Sequence, residues 1–204
     1  LLKINSSGDF LWGKNLGTSS GNEYHKASIL DSENNYYLVT GITSSYNGLT
    51  HIGSSDIGVS KHNSSGDHQW SRQIGTSSSD TAYKIALDKD NNIYIAGTSY
   101  GNVGNQTNNG EQDIYLVKLN SSGTTVWEKL YGSDQNDAAL GGIAVDSLGN
   151  INVVGERTLH TPSSHTTNGI LLGVNPLGNA NWTYEMSDIF FIKLDNDGNV
   201  INSN

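Results

Sequence analysis

Short apolar runs rich in Ile, Val, Leu and Tyr alternate along the chain with clusters of Gly, Ser, Asn and Asp, and no stretch keeps a helical period. Apolar runs bounded by turn-forming residues predict β-strands. Asp113–Leu130, DIYLVKLNSSGTTVWEKL, shows one kind of unit: an apolar run, a tight polar turn and a second apolar run through Trp127. Its skeleton is Gly, three residues, Trp. It recurs at Gly8/Trp12, Gly66/Trp70, Gly123/Trp127 and Gly178/Trp182, so successive tryptophans lie 58, 57 and 55 residues apart. A fixed long period sets the architecture before any single residue does.

A second kind of hairpin follows each of the first three. ASILDSENNYYLVTG (27–41) recurs as YKIALDKDNNIYIAG (83–97) and LGGIAVDSLGNINVVG (140–155). Each carries an Asp at the end of one strand and an Asn four residues on: Asp31/Asn35, Asp88/Asn92, Asp146/Asn150. Asp and Asn suit turns because their side chains bond nearby backbone and tolerate left-handed geometry. Long polar loops come next, at 42–55, 98–112 and 156–168, and the Trp-type hairpin returns at 56–74, 113–131 and 169–185. Four strands in about 57 residues, repeated without helices, predict an all-β chain folded as a β-propeller of four-stranded antiparallel blades. Ala86, Ala96, Ala144, Gly97 and Gly155 fall in the second hairpin type. A crowded centre needs small side chains, so this hairpin is expected innermost and the Trp hairpin outermost. Each Trp is then expected between neighbouring blades, the alternative being a ring of sugar-stacking aromatics.

The last hairpin, 188–202, can be read two ways. DIFFIKL matches DIYLVKL, yet Asp195/Asn199 continues the Asp/Asn series and Asn202 stands where the Trp would be. Lys193, in place of a small residue, argues against an inner position. The expectation is an inner hairpin that completes a fourth blade with the outer hairpin at 1–17. Blades are then expected near 24–75, 82–132, 138–186, and 188–204 plus 1–17, as one domain closed by both ends. An eight-bladed homodimer and a fragment of a larger propeller are the alternatives.

Composition narrows the function classes. Charged residues are 15% and hydrophobic residues 34% of 204, with Gly, Ser, Asn and Thr filling the difference. A net charge of −9 opposes a phosphate backbone, so nucleic acid is not an expected partner. With no cysteine there is no disulfide and no thiolate chemistry. No apolar run reaches the length of a transmembrane helix. The chain opens on Leu1-Leu2 within a strand-like pattern, which reads either as a removed leader or as a piece of a longer protein.

Candidate chemistry is sparse. Asp88-x-Asp90-x-Asn92 and Asp195-x-Asp197-Gly198-Asn199 look like the start of a calcium loop, but no acid follows at the expected distance, so hairpin turns are expected and no metal. His25, His51, His62, His68, His160 and His165 form no close metal pair. There is no nucleophile elbow, no phosphate loop and no repeated carboxylate pair, so no catalytic residue is assigned and no cofactor is expected. The three long loops differ while the strands repeat, and in a propeller all emerge on one face. Loops rich in Tyr, Ser, Gly and Asn suit recognition. Tyr46, His51, Tyr100, Asn105, His160 and His165 are the candidate ligand-binding residues, whereas Trp12, Trp70, Trp127, Trp182, Asp31, Asp88, Asp146 and Asp195 are expected to be structural.

The paired motifs IAVDSLGNINVVG and DIYLVKLNSSGTTVWEKLYG resemble the bacterial propeller repeat called SBBP, over nearly the whole chain. That resemblance implies a propeller in an extracellular, cell-surface or periplasmic setting and brings no catalytic residue. The Gly-x-x-x-Trp hairpin also resembles the tryptophan-docking motif of quinoprotein propellers, where it is structural. The expected function is a non-enzymatic module that binds protein or glycan through its polar loops. A lectin-like or enzymatic pocket in a central channel is the alternative.

Overall fold

The structure, a computed structural model, describes residues 1–17, 23–159 and 186–203. All of its strands are antiparallel and, among the described residues, there is no helix. A two-stranded hairpin comes first, β1 (Leu2–Ile4) with β2 (Phe10–Gly13). Sheet 1 follows: β3 (Glu23–Leu30), β4 (Tyr36–Ile42), β5 (Asp56–His62) and β6 (His68–Ile74), each strand beside the next. Sheet 2 repeats the order with β7 (Asp80–Leu87), β8 (Ile93–Ser99), β9 (Asp113–Leu119) and β10 (Thr125–Tyr131). Sheet 3 holds β11 (Asn136–Val145), β12 (Ile151–Leu159), β13 (Met186–Leu194) and β14 (Val200–Ser203). Consecutive four-stranded meanders of this kind are the blades of a β-propeller.

The core lies between the sheets. Ile93, Ile95, Tyr115 and Val117 of sheet 2 face Tyr37, Val39, Ile57 and Val59 of sheet 1. The alternate residues Tyr94, Ala96, Ile114 and Leu116 face Ala139, Ile151, Val153 and Leu194 of sheet 3. A strand has a period of two, so a sheet buried on both faces needs unbroken apolar runs. β8 and β9 have them, and every residue of both strands is buried. β7 lies against both β3 and β11, which places the first strand of each sheet innermost. Each of these strands is bulged at the same place, between His25 and Ala27, Ala82 and Lys84, and Ala138 and Gly142. A bulge bends its strand and adds twist.

One five-residue turn closes both kinds of hairpin. Its first residue, Asp or Asn, accepts hydrogen bonds from the backbone N–H groups two and four residues on. Asp31 does so from Glu33 and Asn35 at 3.0 and 2.8 Å, and Asn120 from Ser122 and Thr124 at 3.1 and 2.9 Å. The fourth residue is left-handed in every case: Asn34 and Asn91 (φ 62° and 59°), and Gly8, Gly66, Gly123, Gly149 and Gly198. Gly and Asn are the residues that accept this conformation at least cost.

The last hairpin departs from the expectation. β13 pairs along its length with β12, from Ile151↔Leu194 to Leu159↔Met186, and β14 pairs with β13. Residues 186–203 are therefore the outer half of sheet 3, and β1–β2 stands as a two-stranded sheet of its own among the described residues. The Asp195/Asn199 spacing misleads because the same turn serves inner and outer hairpins. Lys193 was the discriminating residue: Lys3, Lys61, Lys118 and Lys193 each stand two residues before an outer turn. Sheets 1 and 2 span 23–74 and 80–131, beside the expected 24–75 and 82–132. Sheet 3 spans 136–159 and 186–203 in place of 138–186. The outer hairpin expected at 169–185, with Trp182, lies outside the described residues.

Candidate functional site

The loops between the second and third strands of sheets 1 and 2 gather at one end of the blades. Each folds back on itself through a tight turn, Tyr46↔Leu49 in the first and Val103↔Gln106 in the second. In the first, Asn47 and Gly48 both have positive φ, 47° and 80°, as a type I′ turn requires. Tyr46 and Val103, at equivalent places, are buried and fix the turns to the sheets. The Tyr46 ring covers Gly58, where a Cβ would stand 3.1 Å from Cε1. Asn47 Nδ2 donates to Ser71 Oγ at 2.8 Å. Gln106 bonds the backbone of Leu130 twice, Nε2 to the carbonyl at 3.3 Å and Oε1 from the N–H at 3.1 Å.

Four buried aspartates tie the loops to the strands. Asp56, at the start of β5, accepts from the backbone of Ile52 (2.9 Å) and Gly53 (3.1 Å) and from Gln73 Nε2 (2.6 Å). Asp113, at the start of β9, accepts from Asn109 N–H at 2.9 Å. Asp80 and Asp137, at or near the start of the innermost strands, accept from the backbone and hydroxyl of Thr76 and Ser133 respectively. The stretch 75–79 between sheets 1 and 2 is clamped on both sides. Ser54 N–H donates to Ser78 O (3.0 Å), Asp80 N–H to Ser55 O (2.7 Å) and Tyr100 N–H to Ser79 O (3.0 Å). Burial pushes the Asp80 carboxyl above the usual range, and nearby Asp56 pushes the same way. Burial also raises Asp113, with Asp137 adding to it.

These four acids escaped the sequence reading, although a signal was present. Asp56 and Asp113 are 57 residues apart, as are Asp80 and Asp137. An acid that keeps the repeat period at a strand start marks a loop-closing role.

The candidate binding residues divide. Tyr100 is half exposed and Asn105 is exposed at the tip of the second turn. Tyr46 is buried beneath its loop and anchors it. His51 Nε2 stands 3.5 Å from the Asp56 carboxylate and belongs with the loop anchors. His160 and His165 lie outside the described residues. Among the described residues, no group of three or more His, Asp or Glu is gathered as a metal ion would need. The turn acids are occupied too. Asp31, Asp88, Asp146 and Asp195 each hold two backbone N–H groups and the side-chain amide of the Asn four residues on.

Trp12, Trp70 and Trp127 sit at the outer rim, each against the next unit. A Cβ on Gly66 would stand 2.8 Å from Trp12, and one on Gly123 2.9 Å from Trp70. Trp127 Nε1 donates to Asn196 O at 3.1 Å. The cation two residues after each of these three reaches the same neighbouring turn. Lys14 pairs with Asp67 at 2.5 Å, Arg72 Nε donates to Gly123 O at 2.9 Å, and Lys129 Nζ donates to Asp197 O at 2.5 Å. These latches run from the first hairpin through sheets 1, 2 and 3 in chain order.

The family model for the SBBP beta-propeller repeat matches residues 69–105, from β6 through the inner hairpin of sheet 2 into its long loop. Residues 69–105 carry the SBBP repeat. The matched stretch covers one junction between blades, and the same strands, turns and latches flank it on both sides. No curated protein matches the chain. Among the described residues no helix is long and apolar enough to cross a membrane.

Proposed function

We propose that this SBBP propeller is a non-enzymatic binding or scaffold module, exported to a bacterial surface or the periplasm, that recognises protein or glycan through the loop face. The observation that carries the reading is the way the two loops are built. Their buried side chains and acids are spent on fixing the backbone, while Asn47, Thr50 and Ile52 of one loop and Tyr100, Asn102, Asn105 and Thr107 of the other face solvent. Rigid loops with exposed amides, hydroxyls and a tyrosine offer hydrogen bonds and a stacking surface at low entropic cost. Asp56, Asp80, Asp113 and Asp137 on this face are buried and bonded to loop backbone, which favours binding over catalysis.

The test is a glycan array together with a panel of extracellular matrix and cell-envelope proteins, probed with the 204-residue chain and with the double variant Tyr100→Ala, Asn105→Ala. The expected result is a ligand whose affinity falls by about tenfold or more in the variant, as for loss of one or two contact residues, while the melting temperature holds. A ligand bound equally by both proteins, or no ligand in either panel, would overturn the reading.

A further inference from the structure

The stretch 75–79 passes between the two long loops and meets each of them at a glycine. A Cβ on Gly53 would collide with the carbonyl oxygens of Ser78 and Thr76, and one on Gly101 with the Thr76 side chain. Neither glycine is left-handed, so the close approach sets the residue here and not the turn. The side chain just before each glycine is left outside the contact. Ile52 and Tyr100 are 50% and 51% exposed, one on each side of the stretch, and Ser77 is exposed between them. Their backbones are held: Ile52 N–H donates to Asp56 Oδ2 at 2.9 Å and Tyr100 N–H to Ser79 O at 3.0 Å.

This ground is uncharged. None of residues 42–55, 75–79 and 98–110 is Asp, Glu, Lys or Arg, in a chain whose net charge is −9. His51, within them, stands against Asp56. Asp56 and Asp80, beneath the stretch, are buried and bonded to loop backbone. The side chains that reach solvent around it are Thr50, Ile52, Ser54, Ser77, Tyr100 and Asn102. The junction between sheets 2 and 3 is different. The glycine contact persists there, Gly110 against the Gln135 backbone. Yet Asn109 stands for Ile52, Asp134 for Ser77 and Thr158 for Tyr100. Holding two sheets together therefore does not require the exposed Ile and Tyr, or the neutral residue between them.

We infer that the strip Ile52–Ser77–Tyr100 is a subsite for a neutral glycan, with one uncharged pyranose unit lying across residues 75–79. The inference rests on the loop-face reading above and narrows its ligand and its place. A pyranose carries C–H groups on its faces and hydroxyls around its rim. Its C–H face suits the electron-rich face of the Tyr100 ring and the apolar Ile52. Its hydroxyls suit Ser54, Ser77 and Asn102, which both donate and accept. A charged ligand fares worse, because it gives up hydration on ground that offers no counter-charge. An acidic sugar meets in addition the field of a chain at −9. A protein partner of ordinary composition, about a quarter charged, brings the same cost.

The test titrates the isotope-labelled 204-residue chain with neutral tetrasaccharides of glucose, mannose and N-acetylglucosamine at millimolar concentration, and with tetragalacturonate as the acidic counterpart. Amide shifts at Ile52–Gly53, Ser77–Ser78 and Tyr100–Gly101 are expected with at least one neutral sugar. Its affinity should change by less than about twofold between about 50 and about 500 mM salt, since no ion pair is made. Ile52→Ala and Tyr100→Ala should each weaken it by about tenfold, as for contact residues, with the melting temperature unchanged. Neutral-sugar binding that shifts other residues, or that Ile52→Ala leaves intact, overturns the subsite. So does binding of tetragalacturonate alone. No shift with any of these sugars overturns it as well, whereas the loop-face reading falls only if the glycan array and the protein panel also give no ligand.

Discussion

The six-membered edge of the Trp70 indole lies on Gly123 of the next blade, so close that a Cβ there would stand 2.9 Å from Cζ3. Gly123 is also left-handed, with φ +79°. Two demands therefore fall on one residue: the turn needs positive φ, and the neighbouring ring needs the space. Gly8 has the same conformation, φ +87°, with nothing within 4 Å of its Cβ position. Gly8→Ala should cost about 1–2 kcal/mol, the strain of a left-handed residue. Gly123→Ala should cost that strain and the displacement of Trp70 as well, about 1–3 kcal/mol more. Denaturant melts of the two variants separate the terms, and equal losses would mean that the Trp70 contact is loose.

The tryptophans themselves should not be equivalent. Trp70 and Trp127 each meet a tyrosine of their own sheet and a turn of the next, whereas Trp12 meets Tyr36 and Gly66, both of the next sheet. Trp70→Ala and Trp127→Ala should each cost about 3 kcal/mol, the lower end for buried aromatics because both are only partly buried. Trp12→Ala should cost less. A loss below about 1 kcal/mol at both Trp70 and Trp127 would leave them as surface aromatics, open to sugar stacking.

The repeat made most of the fold readable. Strand runs, turn acids and the Gly-x-x-x-Trp skeleton mark out an all-β chain of repeated antiparallel hairpins. The end of the chain was harder for a physical reason. Asp195-Asn-Asp-Gly-Asn199 satisfies the same turn whether the hairpin is inner or outer, so local chemistry cannot decide. Pairing with β12 decides, through the register that sets Val154 opposite Phe191 and Val153 opposite Ile192. The loop face was half legible: its polar, variable character was plain, but the roles of Tyr46 and His51 were not. A tyrosine in a polar loop reads as a contact residue, and only the bare surface of Gly58 beneath it shows that Tyr46 faces inward.

Calcium should have no effect on stability. Each turn carboxylate already holds two backbone N–H groups and an Asn amide, which leaves too few free oxygens for a cation that needs six to eight. Chelator should leave the melting temperature unchanged, since only a ligand of the folded state raises it by mass action. A fall of several degrees on chelation, restored by added calcium, would refute the assignment of these acids to turns.

Two sets of aspartates should oppose one another in their pH dependence. In Asp31 and Asp88, burial raises the carboxyl, but the side-chain and backbone bonds from Asn35 and Asn92 outweigh it and the net shift is downward. In Asp146 the Asn150 side-chain bond leads and holds the carboxyl at about 2, and in Asp195 the Asn199 N–H leads. A folded-state value below the unfolded one gives stability that is present above about pH 4 and lost as pH falls through the folded value. Burial raises Asp80, Asp113 and Glu128 instead. Their contribution is fullest below the unfolded value and is lost as pH rises through the raised folded value, because the folded state then holds a buried charge. Stability should therefore peak in the mildly acid range and decline on both sides. Asp80→Asn keeps an oxygen for the Thr76 N–H and removes the buried charge, so the difference in melting temperature between pH 5 and pH 8 should shrink. Asp146→Asn should instead flatten the decline below about pH 4. Thermal melts from pH 2.5 to 8 on both variants check the two limbs separately. If Asp80→Asn left the high-pH limb as steep as in the parent chain, Asp80 would not be one of the groups that set it.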